Sequence, residues 1–311
     1  MKENCKPNHA IGIDIGGTNT DIGLVTADGT CLLRRNLPTG DYSDPEKYAD
    51  DIAREIHILL ETNNLAVSDI IGIGIGAPNG NFHSGCIEYA ANLHFEGIVP
   101  LVELLRQRIP TKVALTNDAN AAALGERVYG GAKGLDDFIV VTLGTGVGSG
   151  LVSNGKLVYG HDGFGGELGH TILYPDGRPC NCGRRGCLET YTSIRGIIQT
   201  YNELGGEGSP KNTKFICDEA DNGNPIAIQT WERTAHFLGL GLANAATMMS
   251  PKVIFLMGGI VNAKHWFMEP LKVEFEKNLL SFQRGKISIE ISHLKANDAA
   301  ILGAAALISE V

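Results

Sequence analysis

AIGIDIGGTNTDIGLVTADG, residues 10–29, reads as an apolar strand, a Gly-Gly-Thr bend and a second apolar strand closed by an Asp28-Gly29 turn. Residues 137–155, DFIVVTLGTGVGSGLVSNG, have the same layout: apolar strand, Gly/Thr bend, apolar strand, Asn-Gly turn. The likeness is one of layout, and it predicts two halves built alike. Three bends stand at strand ends: Gly16-Gly17-Thr18, Gly144-Thr145-Gly146 and Gly258-Gly259, the last closing the apolar run VIFLMGGI. Glycine bends expose backbone N–H groups without a Cβ to block an approaching phosphate. Any one of them serves equally well as a tight hairpin, but three together favour a nucleotide.

The commonest nucleotide signatures are missing. No G-x-G-x-x-G is present. The nearest approach to a P-loop, Gly150, Gly155 and Lys156, is followed by Leu157 where a hydroxyl residue would meet Mg²⁺. A bound nucleotide would therefore be held between the two similar halves.

Outward from these units, strands alternate with helices, which argues for an α/β fold. Helical spacing runs over 44–63 with Pro45 at a first helical position, and over 97–108. IIGIGIGAPNG (70–80) alternates isoleucine with glycine, a strand closely approached by other backbone. A strand at 111–116 runs into Asn117-Asp118 and a helix former, ANAAALGE. Residues 190–250 are mostly helical in pattern, with breaks near 205 and 221. The Ala-rich segment NDAAILGAAALI reads as a final helix capped by Asp298 or Asn297. The expected division is 1–117 with 297–311 as a smaller lobe, and 118–296 as a larger one. The 311-residue length suits about two domains.

A net charge of -9 argues against nucleic acid or an anionic membrane as the main partner. No apolar run approaches a membrane span and the N-terminus has no apolar signal core. The expected compartment is the cytosol, where clustered cysteines bind metal more often than they pair. Of seven cysteines, Cys5, Cys31, Cys86 and Cys217 are scattered. The other three lie in HTILYPDGRPCNCGRRGCLE, residues 170–189. His170, Cys180, Cys182 and Cys187 form a Cys₃His set, enough for a closed tetrahedral zinc site, which leaves no position for a metal-bound water. Such a zinc is structural. Glu167 and Glu189 flank the loop, placed to grip hydroxyls if a metal fixes it.

Asp118 stands where a strand ends and a helix begins. It reads as a helix-start acid and, compatibly, as a general base for a hydroxyl, since a helix N-terminus favours the ionised carboxylate. Asn117 is placed to bond a second hydroxyl. Asp14, an acid inside an apolar strand, is costly to bury unless it meets a metal or a donor; Mg²⁺ near phosphates would serve.

DIGGTNT (14–20), TLGTGVGSG (142–150), ELGH (167–170) and CNCGRRGCLE (180–189) resemble the ROK family of repressors, open reading frames and sugar kinases. The resemblance spans nearly the whole chain. It implies an actin-like, ribonuclease H-related two-lobed fold with duplicated halves, an active site in the cleft, and in many members a homodimeric hexokinase using ATP and Mg²⁺. Residue by residue it implies Asp118 as catalytic base. Asn92, Asn117, Glu167, His170 and Glu189 would be sugar ligands, His170 also binding zinc. Gly16, Gly17, Thr18, Thr145, Gly146 and Gly258-Gly259 would be nucleotide turns.

The family's repressors carry a helix-turn-helix domain ahead of the first glycine hairpin. Only about ten residues precede it here, against the roughly 40 that a small independent domain needs. A sugar sensor without catalysis would not need Asp118, and a sugar-independent ATPase would lack the metal loop between carboxylates. ANLHFEGIVPL resembles the glucokinase branch. It implies phosphorylation of the 6-hydroxyl of glucose, with N-acetylglucosamine, N-acetylmannosamine and fructose as the alternatives.

Overall fold

The computed structural model describes residues 8–90, 92–208, 210–295 and 298–310. They divide into two compact units, one running up to Gly134 and including Leu157–Gly165 and the chain from His293, the other Leu135–Lys156 and Gly166–Ser292.

In the first unit the strands are β1 (His9–Ile15), β2 (Thr20–Thr26), β3 (Cys31–Leu37) and β4 (Ile70–Gly76). A small sheet of β5 (Gly80–Asn81), β6 (Cys86–Glu88) and β7 (Ile98–Val99) precedes β8 (Val113–Thr116). The main sheet has the order β3-β2-β1-β4-β8, with β1, β2 and β3 antiparallel and β4 and β8 parallel to β1. Helix α1 (Pro45–Thr62) begins as the sequence predicts, with Pro45 in its first turn and the Asp44 carboxylate accepting the Glu46 N–H. Helix α2 (Leu101–Arg108) starts four residues later than the spacing suggests, because Pro100 precedes it and residues 98–99 pair as β7. Helix α3 (Asp118–Val128) follows β8 after one residue.

The second unit is built to the same plan. Its strands are β9 (Phe138–Leu143), β10 (Val147–Ser153), β11 (Lys156–Leu157, at its boundary), β12 (Val253–Met257) and β13 (Ser288–Ile291). Their order is β11-β10-β9-β12-β13, which matches the first sheet position by position. Here too the first hairpin is antiparallel, and β12 and β13 run parallel to β9. The helices are α4 (Glu189–Thr192), α5 (Ile194–Glu203), α6 (Thr213–Asp221), α7 (Pro225–Met249) and α8 (Lys264–Asn278). Trp231, Leu238, Phe267 and Phe275 of α7 and α8 are fully buried beside Ile139 and Ile254 of the sheet.

Helix α9 (Ala299–Leu307) returns to the first unit and explains the isoleucine–glycine alternation. Ile11, Ile13, Ile73 and Ile75 point into a core with Tyr48, Ile52 and Ile56 of α1. The glycines between them face α9. A Cβ on Gly74 would stand 1.9 Å from the Ala304 carbonyl oxygen, so only glycine lets the helix lie this close to the sheet. Asp298 occupies the N-cap position of α9 without a side-chain bond to the helix; its carboxylate pairs with Arg34 instead. Asn297, the other cap expected, lies outside the described residues.

The units divide at different places from the boundaries drawn at 117/118 and 296/297. Helix α3 belongs with the first unit, since a Cβ on Gly125 would meet Gly303 of α9 at 2.9 Å. Strands β3 and β13 have no counterpart in the sequence reading.

Candidate active site and metal centre

In the first unit the site grows from the ends of β1 and β8. After Ile15 the chain turns tightly, the Gly16 N–H donating to the Asn19 carbonyl at 2.8 Å. A Cβ on Gly17 would lie 2.8 Å from the Asn92 carbonyl oxygen, so the bend and Asn92 are neighbours. Thr18 is exposed at the same bend. Asp14, half-buried near the end of β1, stands opposite Gly76 of β4. The place a Gly76 Cβ would take is 3.7 Å from the Asp118 Cα. Gly76, at the end of β4, thus lies between Asp14 of β1 and Asp118 after β8.

Asn117 is the residue that caps α3. Its side-chain oxygen accepts the Asn120 N–H at 3.0 Å, which leaves the amide N–H₂ as a donor. Asp118 is the first residue of the helix, and its Oδ1 accepts the Ala119 N–H at 2.8 Å. The side chain keeps accessible surface, so a ligand can reach it. Desolvation by the protein around it still holds its pKa above the usual carboxylate range, against the lowering effect of the backbone bonds. Asp14 is raised to about 6, first by burial and then by repulsion from Asp118 and Asp21.

In the second unit the bend after β9 is closed by Gly144 N–H donating to the Gly146 carbonyl at 3.0 Å. Gly258 has φ +102, and a Cβ there would lie 2.3 Å from the Leu143 carbonyl, which brings the Gly258-Gly259 turn against the Gly144 bend. A Cβ on Gly144 or Gly259 would meet nothing within 4 Å, so open space lies in front of both. Thr145 is exposed at the tip. A Cβ on Gly146 would be 3.2 Å from Glu189 Oε2, so Glu189, the first residue of α4, abuts this bend.

The Cys₃His set converges. The ligand atoms of His170, Cys180, Cys182 and Cys187 all lie within 4.8 Å of one another. Cys182 Sγ is 3.7 Å from Cys187 Sγ, and Cys180 Sγ is 3.6 Å from His170 Nδ1. A tetrahedral zinc with ordinary bond lengths separates two sulfurs by about 3.8 Å and sulfur from nitrogen by about 3.6 Å, so the residues fit the ion. Glu189 Oε1 lies 3.0 Å from Cys180 Sγ and 3.9 Å from His170 Nδ1, while Glu167 Oε2, more exposed, is 4.0 Å from His170 Nε2.

Several residues that hold this loop escaped the sequence reading. Arg178 donates to the carbonyls of Thr190 and Gly196 and to Thr200 Oγ1, and stacks over the Tyr191 ring at 4.7 Å. Arg184 donates to the His170 carbonyl at 3.0 Å. A pair of arginines among glycines carries no local signal of these partners.

The two units, each a five-stranded sheet of one order with glycine bends at its strand ends, define a duplicated actin-like ATPase fold. The model of the ROK family matches residues 10–311, and the chain belongs to that family. It is 34% identical to a glucokinase of Thermotoga maritima, with 96% of this chain and 97% of that one covered. It is 32% identical to an N-acetylmannosamine kinase of Shigella boydii over 96% of this chain and 97% of the other. A solved ROK-family glucokinase from Streptomyces griseus, in complex with glucose and AMPPNP, superposes with a TM-score of 0.80 at 29% identity, covering 97% of this chain and all of that one.

The raised Asp14 yields a test by linkage. Its folded pKa of about 6 exceeds the ordinary 3.8, so folding disfavours the ionised form. The penalty, on the order of 2–3 kcal/mol, is full above pH 6 and fades as pH falls toward 4. In magnesium-free buffer, Asp14→Asn should raise the melting temperature at pH 8, with the gain vanishing by pH 4. A variant less stable than the parent at both pH values would contradict the assignment.

Proposed function

We propose that this ROK-family sugar kinase transfers the γ-phosphoryl group of ATP to the 6-hydroxyl of glucose, with Asp118 as the general base. The observation that carries the reading is the placement of Asp118: a reachable carboxylate, fixed at the start of a helix, next to Gly76 of β4 and a second acid. The 6-hydroxyl donates its proton to Asp118 as its oxygen attacks the γ-phosphorus in line, and ADP departs. The proton then passes from Asp118 to solvent. Because little covalent chemistry falls to the protein in such a transfer, its work is positioning and electrostatics.

Asn117, through its amide N–H₂, and Asn92 hold further sugar hydroxyls in this reading. The bends at Gly16-Gly17-Thr18, Gly144-Thr145-Gly146 and Gly258-Gly259 offer backbone N–H groups to the phosphates, and the open space before Gly144 and Gly259 suits that use. Mg²⁺ bound with the nucleotide supplies neutralisation of the phosphate charge, and Asp14 is the acid that would face it.

Zinc in the Cys₃His loop is part of the same proposal, as a structural ion. With His170 Nδ1 turned to the sulfurs, a metal there places the ring proton on Nε2, the nitrogen nearer Glu167. His170 then donates to a sugar hydroxyl while Glu167 and Glu189 accept from others. A homodimer in the cytoplasm completes the proposal and rests on family pattern alone. The likeness to the Shigella boydii N-acetylmannosamine kinase supports a second reading for the sugar, with the same base and the same transfer.

Asp118→Asn should lower kcat by about 10³-fold while glucose affinity, measured by calorimetry, changes little; a variant with near-parent kcat would exclude Asp118 as the base. Assayed across a hexose panel, the parent should show its highest kcat/KM with glucose, and a preference for N-acetylmannosamine would select the second reading. Cys182→Ser should lose sugar affinity before ATP affinity. If ATP binding fell first, the loop would not be a sugar clamp.

A further inference from the structure

Outside the Cys₃His loop, a second group of metal-type side chains converges in the second unit. Cys217 and Asp221 lie four residues apart on α6, which sets them on one helix face. His265, near the start of α8, meets them there. One ligand atom from each of the three lies within 4.8 Å of the others. Cys217 Sγ is 3.8 Å from His265 Nε2, and Asp221 Oδ1 is 3.1 Å from the same nitrogen. Bound to one zinc, such atoms would stand about 3.6 and about 3.4 Å apart, so small shifts suffice.

We infer that Cys217, Asp221 and His265 form a three-ligand surface site for a transition-metal dication of the zinc class, completed by water. A thiolate, an imidazole and a carboxylate together favour zinc or cobalt over magnesium or calcium, which prefer oxygen donors alone. Asp221 and His265 are exposed and Cys217 half-buried, so the fourth position opens to solvent. The carboxylate is also oriented from outside the set: the Trp266 indole N–H donates to Asp221 Oδ1 at 2.7 Å. A hydrogen-bonded neighbour that fixes a ligating carboxylate is a recurrent feature of metal sites. Lys214, the nearby cation on α6, is engaged by Asp218 at 2.6 Å. The site plays no part in phosphoryl transfer as proposed, and metal there would tie α6 to the start of α8.

Protein loaded with a single equivalent of zinc, which the closed four-ligand Cys₃His site takes first, is titrated with Co²⁺ to test this. The parent should take up one further equivalent, with sulfur-to-cobalt charge-transfer absorption and a change in Trp266 fluorescence. Released zinc, followed with a chromogenic chelator, should stay near zero. Cys217→Ser should abolish the charge-transfer band, and Asp221→Asn should weaken binding by about 10-fold or more, both with kinase turnover unchanged. No further uptake by the parent, a band that survives Cys217→Ser, or uptake matched by zinc release would each overturn the inference.

Discussion

Two carboxylates, Asp14 and Asp118, stand on either side of Gly76, and their desolvation is the constraint on which the site depends; at Asp14 the charge of Asp118 adds to it. Asp14 lies in an apolar strand and Asp118 at a helix start, where a ligand can still reach it. A protein gains nothing in stability from such a pair. The arrangement makes chemical sense if a cation and a substrate hydroxyl are to enter: one acid faces positive charge and the other accepts a proton. The raised pKa of each acid is the cost of keeping both anions ready.

The backbone that sets this geometry depends on glycine. Gly12 and Gly74 admit α9 against β1 and β4, whose ends carry Asp14 and Gly76. Gly258 admits the end of β12 against Leu143, which brings two glycine turns together. In the second unit a different constraint operates. The metal-type side chains, with Arg178 and Arg184 behind them, shape a loop that has almost no regular structure of its own. Glu189 is common to both features of that unit, near Cys180 on one side and the Gly146 bend on the other.

Much of this was legible in the chain. The paired hairpins at 10–29 and 137–155 foretell the two sheets of equal order, because apolar runs closed by glycine bends and Asp-Gly or Asn-Gly turns leave a local trace. The isoleucine–glycine run foretells a close approach, though not that α9 makes it. The metal loop is legible because its four ligands lie within eighteen residues. What escaped depends on long-range packing. Strand β3 is largely exposed and lacks an apolar face to announce it. The split of the chain after 117 failed to foresee α3 staying with α9, since that contact joins residues some 180 apart. Cys217 looked scattered because His265, its partner, is 48 residues away.

The identity of the phosphorylated product tests the proposed transfer most directly. Purified protein incubated with MgATP and glucose should yield ADP and a sugar phosphate in equal amounts, and two-dimensional phosphorus–proton NMR of the product should couple the new phosphorus to the C6 methylene protons. ADP release that continues without sugar, or phosphorus coupled to any other sugar position, would contradict it.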